Sequence, residues 1–204
     1  MVLWPFQARS FRSRSIIANY YFKVKKLAWS DKPRLGALWG RDGDTLFINS
    51  GPTMQMVASA LRSRKNLNVV TNSLNVAMDL GNVPGVRVVL LGGEINAQYS
   101  FTYGSDAQEQ LSKYQADWAI LSVDGISAGS GITTYHAEEA VIDRMMLRGA
   151  KQAMVVSDSS KIGRAGFTRV CACVPGMYLV TDGGDSEALA AMASMGVRIV
   201  HPNN

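Results

Sequence analysis

The feature that most constrains the fold is an alternation. Short apolar runs, many of them β-branched, close on small polar residues or glycine, and segments of helical period lie between them. The runs are 46–48, 66–70, 86–91, 118–123, 153–156, 177–180 and 197–200. Strands this uniformly apolar must be covered on both faces, and the intervening helices can cover them. The pattern therefore predicts an α/β fold: a mostly parallel sheet with helices on both faces and right-handed crossovers.

The first unit, LFINSGPTMQMVASAL at 46–61, shows the design. Asn49, Ser50 and Gly51 end the strand. Pro52 suits a first helical position, where its missing N–H costs nothing, and Met54, Val57, Ala58 and Leu61 then follow at one-face spacing. Ser50 and Thr53 are either helix caps or hydroxyl donors to an anion at the helix start. A second strand ends at Thr71, Asn72 and Ser73 before a helix whose expected inner face is Leu74, Ala77 and Met78. Gly92 and Gly93 end the third strand, and Asp124 and Gly125 end the fourth. Residues 129–134 read as a glycine-rich loop. The helix at 135–147 is expected to turn Val141, Ile142, Met145 and Met146 inward, with Glu138 and Glu139 in its first turn beside the positive end of its dipole. Later strand ends supply Asp158 through Lys161, then Thr181 and Asp182. Ligands of open parallel sheets sit beyond the carboxyl ends of the strands, so these polar ends are expected on one rim, as a pocket for a small polar anion.

Composition narrows the setting. A chain of 204 residues with 47% hydrophobic and 18% charged residues suits one sizeable domain. No apolar run is long enough to span a membrane, and arginines stand where a signal peptide needs its apolar segment, so the expected location is cytoplasmic, with no membrane partner. Cys171 and Cys173 are too close for an ordinary disulfide and, with His136 and His201, form no metal-ligand set. No metal or cofactor is expected. Charge is uneven: residues 1–41 hold nine of the 21 Lys and Arg but one of the 16 acids, Asp31. The division expected is a basic, irregular leader at 1–40, able at most to touch nucleic acid through phosphates, and an α/β domain at 41–204 that carries the anion pocket.

In order along the chain, DGDTLFINSGPT, VVTNSLNVA, VVLLGGE, ADWAILSVDGIS, GITTYHAEEAVIDRMM, VVSDSSKIG and LVTDGG resemble the C-terminal effector domain of DeoR-family transcriptional repressors. The resemblance covers 42 to about 185. It implies a Rossmann-like fold akin to ribose-phosphate isomerases and CoA-transferases, and a sensor of phosphorylated sugars or related metabolites that controls carbohydrate-metabolism genes. Carried over by position, it implies that Ser50, Gly51 and Thr53 form the phosphate-binding turn, with Thr71, Asn72, Ser73, Gly92 and Gly93 also holding the anion. Asp124, Glu139 and Lys161 would meet sugar hydroxyls and phosphate. Two departures stand out. Pro52 removes one N–H from the phosphate turn, and residues 1–40 show no helix-turn-helix, so DNA is expected as a partner only through such a domain, not apparent in this chain. A homodimer or homotetramer is the implied assembly. The alternative is a sugar-phosphate isomerase or deaminase, with Asp124 or Glu139 as base. Asp124 is followed by Gly125, Ile126 and Ser127, without the second acid or histidine that such enzymes carry.

Overall fold

The polar strand ends are fixed in place by one seven-stranded sheet. In this computed structural model, which describes residues 41–201, the strand order is β12-β11-β9-β6-β1-β2-β3 and every pairing is parallel. The strands are β1 (Thr45–Ile48), β2 (Leu67–Thr71), β3 (Val86–Leu90), β6 (Ala116–Leu121), β9 (Ala150–Val156), β11 (Tyr178–Val180) and β12 (Arg198–Val200). From β1 the chain builds outward through β2 to β3, then returns past β1 to β6 and builds the other way. The direction of winding therefore reverses between β1 and β6, which opens a crevice at their carboxyl ends. The leader expected at 1–40 lies outside the described residues.

Side-chain alternation along each strand fills two layers. Leu46, Ile48, Val69 and Ile120 pack with Met54, Val57 and Leu61 of α1 (Pro52–Leu61) and with Val76 and Leu80 of α2 (Leu74–Gly81). On the opposite face Phe47, Val70, Ala119 and Leu121 meet Leu111 of α3 (Ser105–Leu111) and Ile142 and Met146 of α4 (Ala137–Arg148). Val155 and Leu179 meet Met192 of α5 (Ser186–Ser194). The sheet is thus covered on both faces, as the apolar runs require.

Two smaller sheets were not legible as strands. An antiparallel hairpin of β4 (Glu94–Asn96) and β5 (Phe101–Tyr103) lies beyond β3. A three-stranded antiparallel sheet, ordered β10-β8-β7, joins β7 (Gly125–Ser127), β8 (Gly131–Thr134) and β10 (Thr168–Cys171). The segment expected as a loop at 129–134 therefore contains a buried strand. Pieces of three or four residues are too short to show a period.

Two helix faces also differ from expectation. In α2 the buried pair is Val76 and Leu80, while Met78 is 76% exposed. Both sets have helical spacing, and Val76 and Leu80 are the pair turned toward α1 in the core. In α4 the fully buried apolar residues are Ile142 and Met146, with Val141 and Met145 only half-buried. The remaining inward positions belong to Ala140 and to two acids, Glu139 and Asp143, one helical turn apart.

Candidate functional site

At the point where the winding reverses, β1 and β6 are joined by a side chain. Asn49 donates from Nδ2 to the carbonyl of Ser122 at 3.0 Å, and its Oδ1 accepts the Ser122 N–H at 2.9 Å. The same amide reaches α4, with Nδ2 3.0 and 3.1 Å from the two carboxyl oxygens of Asp143. One fully buried asparagine thus fixes both strand ends and the helix beside them. Beyond the buried Ser50, Gly51 and Pro52 lie nearer the surface. Gly51 has φ of 109°, and a Cβ there would meet Ser122 Oγ at 3.1 Å, so only glycine passes without strain. Pro52 is the first residue of α1, as its chemistry suggests. The N-cap is Gly51, which has no side chain to make a cap.

A cavity of about 500 Å³ opens here, and Ser50, Gly51, Asp124, Glu139 and Lys161 line it. Ser50 Oγ donates to Glu139 Oε1 at 2.6 Å, and Thr134 Oγ1 lies 2.9 Å from Glu139 Oε2 and 3.1 Å from Asp124 Oδ2. Asp124 also accepts the Tyr135 N–H at 3.0 Å, and its other oxygen lies 3.6 Å from Lys161 Nζ. Lys161 comes from a 3-10 turn (Ser159–Lys161) after β9, capped by Asp158, whose Oδ1 accepts the Ser160 N–H. An ion pair and two hydrogen bonds thus link the Lys161 ammonium through Asp124 and Thr134 to the buried carboxyl of Glu139.

Burial sets the electrostatics. It raises the Glu139 carboxyl above its ordinary range, against the donors Ser50 and Thr134, with the charge of Asp124 adding to the rise. Asp143 is raised well above its ordinary range, first by burial and then by the charge of Glu139, with Asn49 opposing. Such groups can hold a proton or accept hydroxyls. Among the described residues no three of His, Cys, Asp and Glu are placed to share a metal ion.

The other expected site residues stand elsewhere. Thr53 is buried in the first turn of α1 and is not among the lining residues. Thr71, Asn72 and Ser73 are buried under the β4–β5 hairpin: Asn72 Nδ2 donates to the Thr102 carbonyl at 3.1 Å, and Thr102 N–H returns to the Asn72 carbonyl at 2.8 Å. Thr71 Oγ1 accepts the Ser73 N–H, and Ser73 Oγ caps α2 through the Val76 N–H. Gly92 donates its N–H to Gln110 Oε1 at 2.9 Å. Gly93 has φ of 115°, and a Cβ there would fall 2.4 Å from the Tyr103 carbonyl oxygen. These two glycines make room for the hairpin and α3. In return the hairpin brings Tyr99 and Phe101 to the cavity wall, next to His136, the N-cap of α4. His136 reads in sequence only as a surface or helix-start residue; Tyr99 and Phe101 gave no signal, since nothing local shows that β3's extension folds back. Thr134 was visible only as one threonine of a glycine-rich stretch.

Residues 36–183 match the family model for the DeoR C terminal sensor domain. The chain belongs to this family. Among its relatives, the HTH-type transcriptional repressor GlcR of Bacillus subtilis (strain 168) is 36% identical over 169 residues, which make up 81% of this chain and 64% of that protein. The glycerol-3-phosphate regulon repressor of Escherichia coli (strain K12) is 34% identical over 123 residues, 60% of this chain and 49% of that protein. The putative aga operon transcriptional repressor of Escherichia coli O157:H7 is 30% identical, covering 78% of this chain and 59% of that protein. The DeoR sensor domain chain thus spans less than two thirds of the length of these relatives. All three are named as repressors. Among solved structures it is similar to ribose 5-phosphate isomerase from Plasmodium falciparum (12% identity, 74% of this chain and 54% of that one, TM-score 0.47). It is similar also to the probable sor operon regulator from Shigella flexneri (10% identity, 69% and 76%, TM-score 0.48).

Proposed function

We propose that this sensor domain binds a phosphorylated sugar or a related phosphorylated metabolite in the cavity between the ends of β1 and β6, as the effector-sensing part of a cytoplasmic DeoR-type repressor of carbohydrate-metabolism genes. The observation that supports this most is the placement of Lys161, the one Lys or Arg among the described residues that line the cavity, beside carboxylates and hydroxyls at the reversal point of the sheet. Lys161 and the start of α1 at Gly51 offer positive charge and dipole to a phosphate, the dipole alone contributing ~0.3–1 kcal/mol. Asp124 and Glu139 accept from sugar hydroxyls. Ser50, Gly51, Asp124, Glu139 and Lys161 then touch the ligand, while Thr53, Thr71, Asn72, Ser73, Gly92 and Gly93 shape the site from behind. The names of two relatives, the glycerol-3-phosphate regulon repressor and the lactose phosphotransferase system repressor of Lactococcus lactis subsp. lactis, point to phosphorylated carbohydrate chemistry.

The mechanism is a shift of population. A ligand joining β1, β6, β9 and α4 changes the balance between two arrangements by the difference in its affinity for them, and a DNA-binding part reads the result. A homodimer or homotetramer suits such coupling, and Met78 and Ile95 leave apolar side chains exposed. Titration calorimetry against a panel of sugar phosphates tests the reading. Binding by at least one member is expected, and silence across the panel from folded protein removes the proposal.

A further inference from the structure

The cavity has a wall that phosphate and hydroxyl recognition leaves without a role. Tyr99, in the β4–β5 turn, and His136, at the start of α4, set their rings 4.4 Å apart at 56°, and Phe101 lies 5.8 Å from His136. All three line the cavity. Phe101 is buried and belongs to the packing beneath, but Tyr99 is 48% exposed, so its apolar surface is left uncovered at the mouth. The turn that carries it is held firmly. Tyr99 N–H donates to Asn96 Oδ1 at 3.2 Å, Ser100 takes a left-handed conformation with φ of 57°, and the Ser100 carbonyl accepts the Leu74 N–H at 3.0 Å. A non-glycine residue held at positive φ is a costly placement, of the kind that clusters where a side chain must be aimed.

The cavity also holds polar acceptors and the Lys161 ammonium. An aromatic surface together with carboxylates and a cation matches a ligand with three chemical regions: an apolar C–H face, hydroxyls at its edge and an anion at one end. A ring-form hexose phosphate has all three. A glycerol phosphate has no ring face to lay on Tyr99, and the cavity volume of about 500 Å³ leaves space for the larger molecule.

Resting on the proposed sugar-phosphate site, we infer that the Tyr99–His136 wall makes it selective for pyranose phosphates over acyclic polyol phosphates. Calorimetry of the full chain with glucose 6-phosphate, galactose 6-phosphate, glycerol 3-phosphate and inorganic phosphate tests this. At least one hexose phosphate is expected to bind about tenfold or more tighter than glycerol 3-phosphate. Tyr99→Leu keeps apolar bulk without an aromatic face and should shrink that ratio to about two- or threefold, while Tyr99→Phe restores it. Thermal melts of each variant establish that it is folded. Glycerol 3-phosphate binding as tightly as both hexose phosphates, or a ratio unmoved by Tyr99→Leu, overturns this inference and leaves the sugar-phosphate site standing. No binding by any of the phosphorylated probes overturns the site and the inference together.

Discussion

Two halves of one rim, built from the same kinds of residue, serve different ends. At the ends of β2 and β3 stand Thr71, Asn72, Ser73, Gly92 and Gly93; after β1, β6 and β9 stand Ser50, Gly51, Asp124 and Lys161. In the first set Asn72 bonds the backbone of a hairpin folded over those strands, Thr71 and Ser73 bond the start of α2, and the two glycines leave room for the hairpin and α3; the second set lines an open cavity. Small polar residues at a strand end therefore report a backbone that needs partners, and only the neighbouring chain decides whether the partner is protein or ligand. Thr102 illustrates the point, with Oγ1 2.6 Å from the Leu91 carbonyl and its N–H on Asn72. On the open side β7 and β8 pair with each other in a small sheet of their own.

The sharpest way to break this comparison is Gly93→Ala. Its Cβ would need to enter the space of the Tyr103 carbonyl at a φ that disfavours alanine, so a loss of about 3 kcal/mol is expected in urea unfolding. Because the hairpin carries Tyr99, any folded fraction should also show altered binding of ring ligands. An unfolding free energy within about 0.5 kcal/mol of wild type means that the hairpin is not seated on Gly93, and the closed half of the rim is then misdescribed.

Lys161→Ala probes the open half. Its ion pair with Asp124 is long, at 3.6 Å, and both side chains still reach solvent, with 24% and 31% of their surface exposed, so stability should move by less than about 0.5 kcal/mol. Loss of a charge-assisted bond to a phosphate should weaken sugar-phosphate binding about 10- to 100-fold in calorimetry. A large stability loss with unchanged affinity reverses the assignment and makes Lys161 a structural partner of Asp124.

How much of this could be read from the sequence divides along the same line. The seven main strands, their parallel class and the start of α1 at Pro52 follow from apolar runs and breakers, which are local signals. Ser73 and Asn72 are both residue types that cap helices, and Ser73 is the one that does so at α2. What could not be read depended on distant contacts. Nothing within Gly92–Gly93 reveals that Tyr103 lies against them, and nothing near Asp143, which the pattern left out of the inner face of α4, shows that Asn49 waits 3.0 Å away. Glu139 and Glu138 look alike as first-turn acids, yet one is buried at the cavity and the other exposed. The difference comes from helix rotation, set by Ile142 and Met146 in the core.

The acids of α4 sharpen the comparison through pH. Both Glu139 and Asp143 have folded-state pKa values raised above the ordinary carboxylate range, so the folded state holds their protons more tightly than the unfolded chain does. Stability from this source is complete below that range and declines as pH rises through the folded values. Asp143→Asn removes one titrating group and keeps an acceptor for Asn49. Its unfolding free energy should match wild type near pH 4 and exceed it by about 1 kcal/mol near pH 8, with a flatter slope between. An unchanged slope means that Asp143 is ionised across the range, with its charge balanced by more than Asn49.

The smallest expected effect is also the most direct test of the division. Ser73 caps α2 through the Val76 N–H at 3.3 Å, a long bond, and lies buried beneath the hairpin. Ser73→Ala should cost about 0.5–1 kcal/mol of stability, the low end for a lost cap. Its effect on sugar-phosphate affinity should stay within about twofold, because the hydroxyl acts on the helix and not on the cavity. The family resemblance assigns Ser73 to the anion, and so a tenfold loss of affinity with normal stability would restore that role. The hairpin would then have to lift off the β2 end when ligand binds, and the two halves of the rim would be two states of one site.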